Sequence, residues 1–408
     1  MPQKEVVILV HGIGQHAKGW STEEKDGPIP AIKQASREYP HVFPDHDPIE
    51  NRIEFIEVLY DDIFEKIRTQ WNTLASDLLT KQFPQADQAK LDQIRNEIPG
   101  LVNNIAQATD GDKWYATHAL DAIMYAGFPL IRQVVRYSVA AQLADIVAER
   151  LPADVRDRPS FTIVAHSMGT AVVHDAIQLM GTTNWLSHVD TLPDGMTAAR
   201  LTFIKDKFGS NPFSARIAPI FDSVIMVANV SGILCRDPSP DSDKSVVRPK
   251  FSGGFPRSIN HYFNFDHVLD PIPKVSPFTT PASWSLAVAQ GTAEERRDIR
   301  HVYDPNVHGF AHYLKHPSLH ARLFWRALAA RDAELERFTY QHVLAADARV
   351  GQGSFSNFGG ELADDAIRAR LEEQLVSAMR ESHTARKTID KYRAVILAMG
   401  AVVGGPPA

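Results

Sequence analysis

The stretch FTIVAHSMGTAVVHDAIQLM, residues 161–180, changes from one kind of secondary structure to another around a serine. Phe161–Ala165 is an apolar run of strand length, and a helix-like segment begins at Gly169. A tight strand–serine–helix turn leaves room only for small side chains two positions before and after the serine, as Ala165 and Gly169 are. Such a turn exposes the hydroxyl of Ser167 at the carboxyl end of the strand, which predicts a nucleophile. The alternative is a serine that caps an ordinary helix.

Short apolar runs rich in β-branched residues recur along the chain and predict further strands. Several are almost continuously apolar, as strands are when both faces of a parallel sheet are covered. Helix-period segments lie between some of these runs, so the predicted class is α/β with a mostly parallel sheet. The predicted strands are Val6–Val10, Ile53–Val58, Phe161–Ala165, Ser223–Ala228, Ile259–Phe265 and Asp298–Tyr303.

The spacing of the predicted strands is uneven and indicates a divided chain. We predict a core formed by residues 1–59 and 152–331, a large helical insertion at 60–151, and a helical C-terminal appendage at 332–408. The insertion interrupts the sheet beside the predicted serine site, so it is a candidate lid, with the apolar residues 123–131 on its inner face. A fixed cap or an oligomer surface is the alternative.

Composition and charge exclude several classes of protein. The chain has 408 residues, 44% of them hydrophobic, and a formal net charge of −6 at pH 7. This charge, without any run of Lys and Arg, argues against a nucleic-acid partner. The apolar run Val6–Val10 is too short for a signal peptide, and charges interrupt the longest apolar segment before it reaches the ~20 residues of a membrane span. The single cysteine, Cys235, suits a reducing compartment, so we predict a cytoplasmic protein without a membrane span.

A nucleophilic serine needs a base, and the base needs a carboxylate that orients it. Where the serine occupies such a turn, the acid and then the histidine follow it along the chain. Asp270, after the strand Ile259–Phe265, is the favoured acid, and Asp266 is the alternative acid. His308 and His312 both follow the next predicted strand. His308 is favoured as the base because it lies nearer to the strand end, and His312 is the alternative base.

The oxyanion that forms during acyl transfer needs backbone N–H donors. Met168 follows the serine at the helix N-terminus, and Ile13 follows the first strand in the sequence HGIGQH. We predict that these two amides form the oxyanion hole. The segment that contains Ile13 also matches the G-x-G-x-x-A pattern of a dinucleotide site, but no helix-like segment follows it.

Four histidines recur at intervals of four residues and offer a competing interpretation. His308, His312, His316 and His320 would share one face of a continuous helix and could bind zinc there. Gly309 and Pro317 argue against a continuous helix. We therefore predict neither a metal nor an organic cofactor for the reaction.

Four stretches, in this order and each following a predicted strand, carry a family resemblance: VVILVHGIGQH, FTIVAHSMGT, FNFDHVLDPIP and NVHGFAHYLKHP. Together they resemble the α/β-hydrolase superfamily, and within it the serine lipases and esterases, over about residues 6–58 and 161–330. The resemblance implies a sheet of the α/β-hydrolase type, a nucleophile elbow and a Ser-His-Asp catalytic triad. It also implies hydrolysis of a small-molecule carboxylic ester. If the predicted lid has an apolar inner face, that face would favour an ester with an apolar acyl chain. An amidase or peptidase, a thioesterase or acyltransferase, and a non-enzymatic binding module of the same fold are the alternatives.

Overall fold

One parallel sheet organises the described part of the chain. In the computed structural model the described residues are 4–14, 16–23, 27–40, 42–65, 121–122, 125–126, 129–151, 159–181, 202, 220–235, 238, 240, 242–252, 259–268, 270, 273, 277–299 and 308–324. Their six strands lie in the order β2-β1-β3-β4-β5-β6, and every neighbouring pair is parallel. The strands are β1 (Glu5–Val10), β2 (Ile53–Val58), β3 (Phe161–His166), β4 (Phe221–Val227), β5 (Ile259–His267) and β6 (Ala293–Ile299).

Helices connect the strands, so the α/β class predicted from the sequence is confirmed. The described helices are α1 (Pro28–Ser36), α2 (Pro129–Arg150), α3 (Met168–Met180), α4 (Ser231–Leu234), α5 (Ser285–Ala289), α6 (Phe310–Leu314) and α7 (Pro317–Leu323). Short 3₁₀ turns lie at Trp20–Thr22, Ile49–Asn51 and Ala282–Trp284. Both α1 and α7 start at a proline, which suits a first helical position because its missing N–H has no partner there. No helix in these ranges is both long and apolar enough to cross a membrane.

Burial explains why five of the strands could be predicted and the sixth could not. β1, β3 and β4 are buried at every residue, as their continuous apolar sequences require. The sixth described strand begins at Ala293, five residues before the predicted start at Asp298, and extends to Ile299; positions 300–303 lie outside the described residues. Its sequence AEERRDI is mostly charged, and it pairs with β5 alone among the described strands. Charged residues are tolerated on such an edge strand, so a search for apolar runs passes over it.

Two compact units divide the chain. The first contains Met1–Gly12, His16–Leu59 and Val134–Gln374, and it includes the whole sheet. The second contains Ile13–Gln15, Tyr60–Gln133 and Leu375–Ala408. In the second unit, the described rings of Tyr60 and Phe64 meet edge to face, and burial raises the pKa of Tyr60 well above its usual value.

The predicted insertion and appendage fall mostly outside the described residues. Only 60–65, 121–122, 125–126 and 129–151 of the insertion are described, and none of 332–408. The domain boundaries, the lid or cap and its apolar face at 123–131 therefore stay predictions.

The hydrophobic core on one face of the sheet determines where α6, and with it the preceding residue pair His308 and Gly309, lies. The cluster includes Leu9, Val164 and Phe265 from the strands, with Ile32 from α1 and Leu314 from α6. Because α6 and α7 both pack against α1, the chain segment that leads into α6 is held beside the carboxyl ends of the strands.

Candidate active site

Ser167 joins β3 to α3 in a backbone conformation that residues other than glycine rarely adopt. Its φ is 51° and its ψ is −126°. Such a conformation costs about 1–3 kcal/mol, so the surroundings must hold it. The Ser167 N–H donates to the Val227 carbonyl at 2.9 Å, and its carbonyl accepts from the Thr170 N–H at 2.9 Å. The end of β4 and the first turn of α3 thus hold the serine in the strained turn.

Glycines let the end of β1 pass close to this turn. A Cβ atom on Gly169 would lie 2.3 Å from the His11 carbonyl oxygen, well inside van der Waals contact. A Cβ atom on Gly12 would lie 2.9 Å from the Ser167 Cβ. The small residue that the sequence pattern requires at position 169 therefore has a specific cause, which is the backbone at the end of β1.

Ser167, His308 and Asp270 form a chain of hydrogen bonds. The distance from Ser167 Oγ to His308 Nε2 is 3.0 Å, and the distance from His308 Nδ1 to Asp270 Oδ2 is 2.7 Å. Because a carboxylate only accepts, Nδ1 carries the proton, and Nε2 is left to accept from the serine hydroxyl. The hydroxyl makes no capping bond to α3, so the interpretation of Ser167 as a plain helix cap loses its main support. This is the arrangement in which a histidine can remove the proton of a serine.

Burial distinguishes the carboxylate of Asp270 from the ring of His308. Asp270 is fully buried, whereas the His308 side chain is 15% exposed. The ring is therefore within reach of a solvent molecule or a small substrate, and the carboxylate is not. Such a carboxylate can orient the ring but cannot exchange protons readily with water.

Tyr313 on α6 completes the surroundings of the carboxylate, and sequence reasoning missed it. Its hydroxyl donates to Asp270 Oδ2 at 2.9 Å and accepts from the His267 N–H at 2.8 Å. Burial and the neighbouring Asp270 charge raise the pKa of Tyr313 well above its usual value, so the hydroxyl stays a donor. Asp270 Oδ2, which accepts the hydrogen bond from His308 Nδ1, thus accepts a second hydrogen bond from Tyr313. No motif in the sequence announces this contact.

His166, immediately before the serine, supports the loop that carries the base. Its Nε2 donates to the His308 carbonyl at 2.6 Å, and its ring stacks on Phe310 with centroids 5.0 Å apart. Burial, together with the His308 charge, lowers the pKa of His166 to about 3. The ring is therefore neutral near neutral pH and acts as a fixed donor. The strand predicted from the sequence, Phe161–Ala165, stops one residue before His166, and the position of His166 next to the serine was the available signal.

The two alternative residues have other surroundings. Asp266 Oδ1 accepts from the Asn229 N–H at 3.2 Å and so holds the segment that follows β4. His312 is 1% exposed, and its ring meets the His267 ring edge to face at 5.0 Å. Burial, with a smaller effect of neighbouring charges, lowers the pKa of His312 to about 3. These surroundings favour His308 as the base and Asp270 as the acid.

The two predicted oxyanion donors differ in what is described around them. Met168 is the first residue of α3 and fully buried. The first N–H groups of a helix have no partner within it and carry its positive dipole end, so this amide suits an anion beside Ser167. Ile13 follows Gly12, whose backbone approaches Ser167 closely. The position of the Ile13 amide relative to the serine stays a prediction.

The four evenly spaced histidines do not share one helical face. Helix α6 ends at Leu314 and α7 begins at Pro317, so the helix that a zinc face would require is interrupted. His316 Nδ1 bonds the Ser318 hydroxyl at 2.9 Å, and His320 Nδ1 bonds the Tyr39 hydroxyl at 2.8 Å. Each ring is therefore held by a different partner.

The site brings together residues that are distant along the chain. His308 lies 141 positions after Ser167. The serine, the acid and the base follow one another along the chain, after β3, β5 and β6 respectively. Because the carboxyl ends of parallel strands meet at one edge, the sheet itself assembles them.

Comparison of the chain with protein-family models, with curated proteins and with solved structures finds no match in any of the three.

Proposed function

We propose that the chain is a serine hydrolase of the α/β-hydrolase type that cleaves a carboxylic ester through an acyl-enzyme. One observation carries the proposal: Ser167, at a φ of 51°, lies 3.0 Å from a histidine that is itself 2.7 Å from a buried carboxylate. The order Ser, Asp, His along the chain, after three strands of one parallel sheet, supports the same family.

The mechanism follows from the protons and charges at these atoms. His308 Nε2 takes the hydroxyl proton as Ser167 Oγ attacks the ester carbonyl, and the protonated ring then gives that proton to the leaving alcohol. Asp270 offsets the positive charge that develops on the ring, and Tyr313 holds the carboxylate in place. A water molecule, activated by the same histidine, then hydrolyses the acyl-enzyme, which releases the carboxylic acid product and restores the Ser167 hydroxyl.

Backbone amides stabilise the negative charge that develops on the carbonyl oxygen. The Met168 amide is one proposed donor and the Ile13 amide is the other. Loss of one such donor typically costs about 10²–10³-fold in kcat. Neither a metal nor an organic cofactor takes part in these steps.

The ester bond and the apolar acyl chain of the proposed substrate are inferred from different features of the sequence. The choice of an ester rests on the resemblance to serine lipases and esterases. An apolar acyl chain rests on the apolar stretch 123–131 of the predicted insertion, of which only 125–126 and 129–131 are described. The proposed substrate is therefore a small ester with an apolar acyl group.

Labelling with a fluorophosphonate tests the proposal directly. This reagent modifies serines that an adjacent base activates. We expect labelling of the wild-type chain and its loss in Ser167→Ala, with p-nitrophenyl ester hydrolysis lowered roughly 10³-fold or more. Ser36→Ala is the matched control, since this buried hydroxyl on α1 bonds only the backbone of its own helix in the described contacts. A Ser167→Ala variant that is folded by circular dichroism and fully active would end the serine-hydrolase proposal.

A further inference from the structure

Three donor atoms of different chemistry converge beside α3, in a cluster that the proposed ester hydrolysis does not use. His174 and Asp175 lie on α3, and Cys235 directly follows α4. One ligand atom from each residue lies within 4.8 Å of the other two. The three residues are 1%, 3% and 2% exposed, so the cluster is inside the protein.

The His174 ring is held so that one nitrogen faces this cluster. Its Nε2 lies 2.9 Å from the Ser245 hydroxyl oxygen, which also accepts the Val247 N–H at 3.2 Å. Its Nδ1 is buried, has no hydrogen-bond partner among the described residues, and lies 3.6 Å from Asp175 Oδ1. When Nε2 carries the proton and donates it to Ser245, a lone pair on Nδ1 faces a carboxylate. In a buried site these two electron-rich atoms repel each other unless a cation or a proton lies between them.

Cys235 supplies the third donor and is the single cysteine of the chain. Its Sγ lies 3.4 Å from the Ala171 carbonyl oxygen, also on α3. When a divalent cation binds, the thiol loses its proton to solvent and the sulfur becomes a thiolate ligand. The cation then carries two negative ligands and one neutral imidazole, so its charge is balanced.

We propose that His174 Nδ1, the Asp175 carboxylate and Cys235 Sγ bind one Zn²⁺ ion that joins α3 to the end of α4. A set of nitrogen, oxygen and sulfur ligands suits zinc, which accepts all three and prefers tetrahedral geometry. A water molecule or a backbone carbonyl takes the fourth position. Ser245 orients the imidazole from outside, as partners of metal-binding histidines usually do. The ion is structural, and its presence does not depend on the ester chemistry at Ser167.

The first test measures metal in the wild-type, full-length chain, purified without a histidine tag or chelator. We expect about one equivalent of zinc per chain by mass spectrometry of the elements. After zinc is removed with a chelator, added Co²⁺ should produce a thiolate-to-cobalt charge-transfer absorption and the visible bands of tetrahedral cobalt. Less than about a tenth of an equivalent of zinc, with no charge-transfer absorption, would overturn the proposal.

Variants then assign the ligands. Cys235→Ser should abolish the charge-transfer absorption, and His174→Gln should lower the affinity for Co²⁺ at least tenfold. Ser245→Ala, which removes only the outer partner, should lower it about 10–100-fold. His320→Asn is the matched control, because it removes an equally buried imidazole far from the cluster in sequence and bonded instead to Tyr39. A Cys235→Ser protein that keeps the absorption contradicts the assignment, and a variant that fails to fold leaves the wild-type measurement decisive.

Discussion

The loop that carries His308 and the helix that follows it, α6, place two histidines four residues apart in opposite surroundings. His308 is partly exposed, and its two ring nitrogens bond a serine hydroxyl and a carboxylate. His312 is 1% exposed, and burial lowers its pKa to about 3. The first ring contacts the serine and is reachable from solvent, whereas the second is kept neutral by its burial. Position along the chain made both of them candidates, and only burial and partners distinguish them.

Removing each ring in turn tests the difference between His308 and His312 most directly. His308→Ala should lower kcat for p-nitrophenyl ester hydrolysis roughly 10³-fold or more, because the serine loses its base. His312→Ala should change kcat less than about tenfold and mainly reduce stability, because it leaves a cavity in the core. Steady-state kinetics and urea unfolding on both variants separate the two effects. The reverse ranking would reassign the base to His312 and keep the serine mechanism.

The buried histidines should also make the protein sensitive to acid. Burial lowers the pKa of His166, His312 and His320 to about 3, from an ordinary value of 6.5. Below pH 6.5 the unfolded chain therefore binds protons that the folded chain cannot. Stability is complete above that pH and falls progressively as the pH decreases towards 3. From roughly pH 7.5 to 5.5, the three rings should together lower the free energy of unfolding by about 4 kcal/mol.

Urea unfolding at the two pH values measures this loss. In His320→Asn the loss should shrink by about 1.4 kcal/mol, the share of one ring. The Glu38 carboxylate lies 3.7 Å from His320 Nε2 and favours the charged ring, but its side chain is 54% exposed, so burial of the ring decides the direction. His46→Asn, at an exposed position, is the control. Equal stability at both pH values would show that the buried rings bind protons freely.

A smaller effect on kcat is expected from removing the Tyr313 hydroxyl, through which α6 contacts the Asp270 carboxylate. Tyr313→Phe removes one of the two hydrogen bonds to Asp270 Oδ2, and we expect kcat to fall about tenfold with little change in KM. Tyr39→Phe is a matched control, because it removes an equally buried hydroxyl that bonds a different histidine, His320. Both variants should lose about 1 kcal/mol of stability, and only the first should lose activity. Equal kcat in the two variants would reduce Tyr313 to a packing residue.

Local patterns were informative where a residue's requirement is set by its immediate neighbours. The strand–serine–helix turn, with a small residue at position 169, follows from the close approach of backbone that any such turn requires. β1, β3 and β4 were recognisable because they are buried at every residue, so their sequences are almost continuously apolar. The strand at 293–299 was misplaced because an edge strand can be charged, and an apolar pattern is then absent.

The sequence by itself determined the α/β class, the turn at Ser167, and a short set of acids and histidines on the loops that parallel strands bring together. Those features depend on local geometry and on the order of elements, which a linear chain records. The tertiary structure alone decided that His308 rather than His312 contacts the serine, and that Tyr313 supports Asp270. It also decided that His174 and Cys235, 61 positions apart, face one another. Contacts of this kind depend on how the helices pack. Packing is determined by the complementary shapes of side chains that are far apart in the sequence, which the spacing of residues along the chain does not specify.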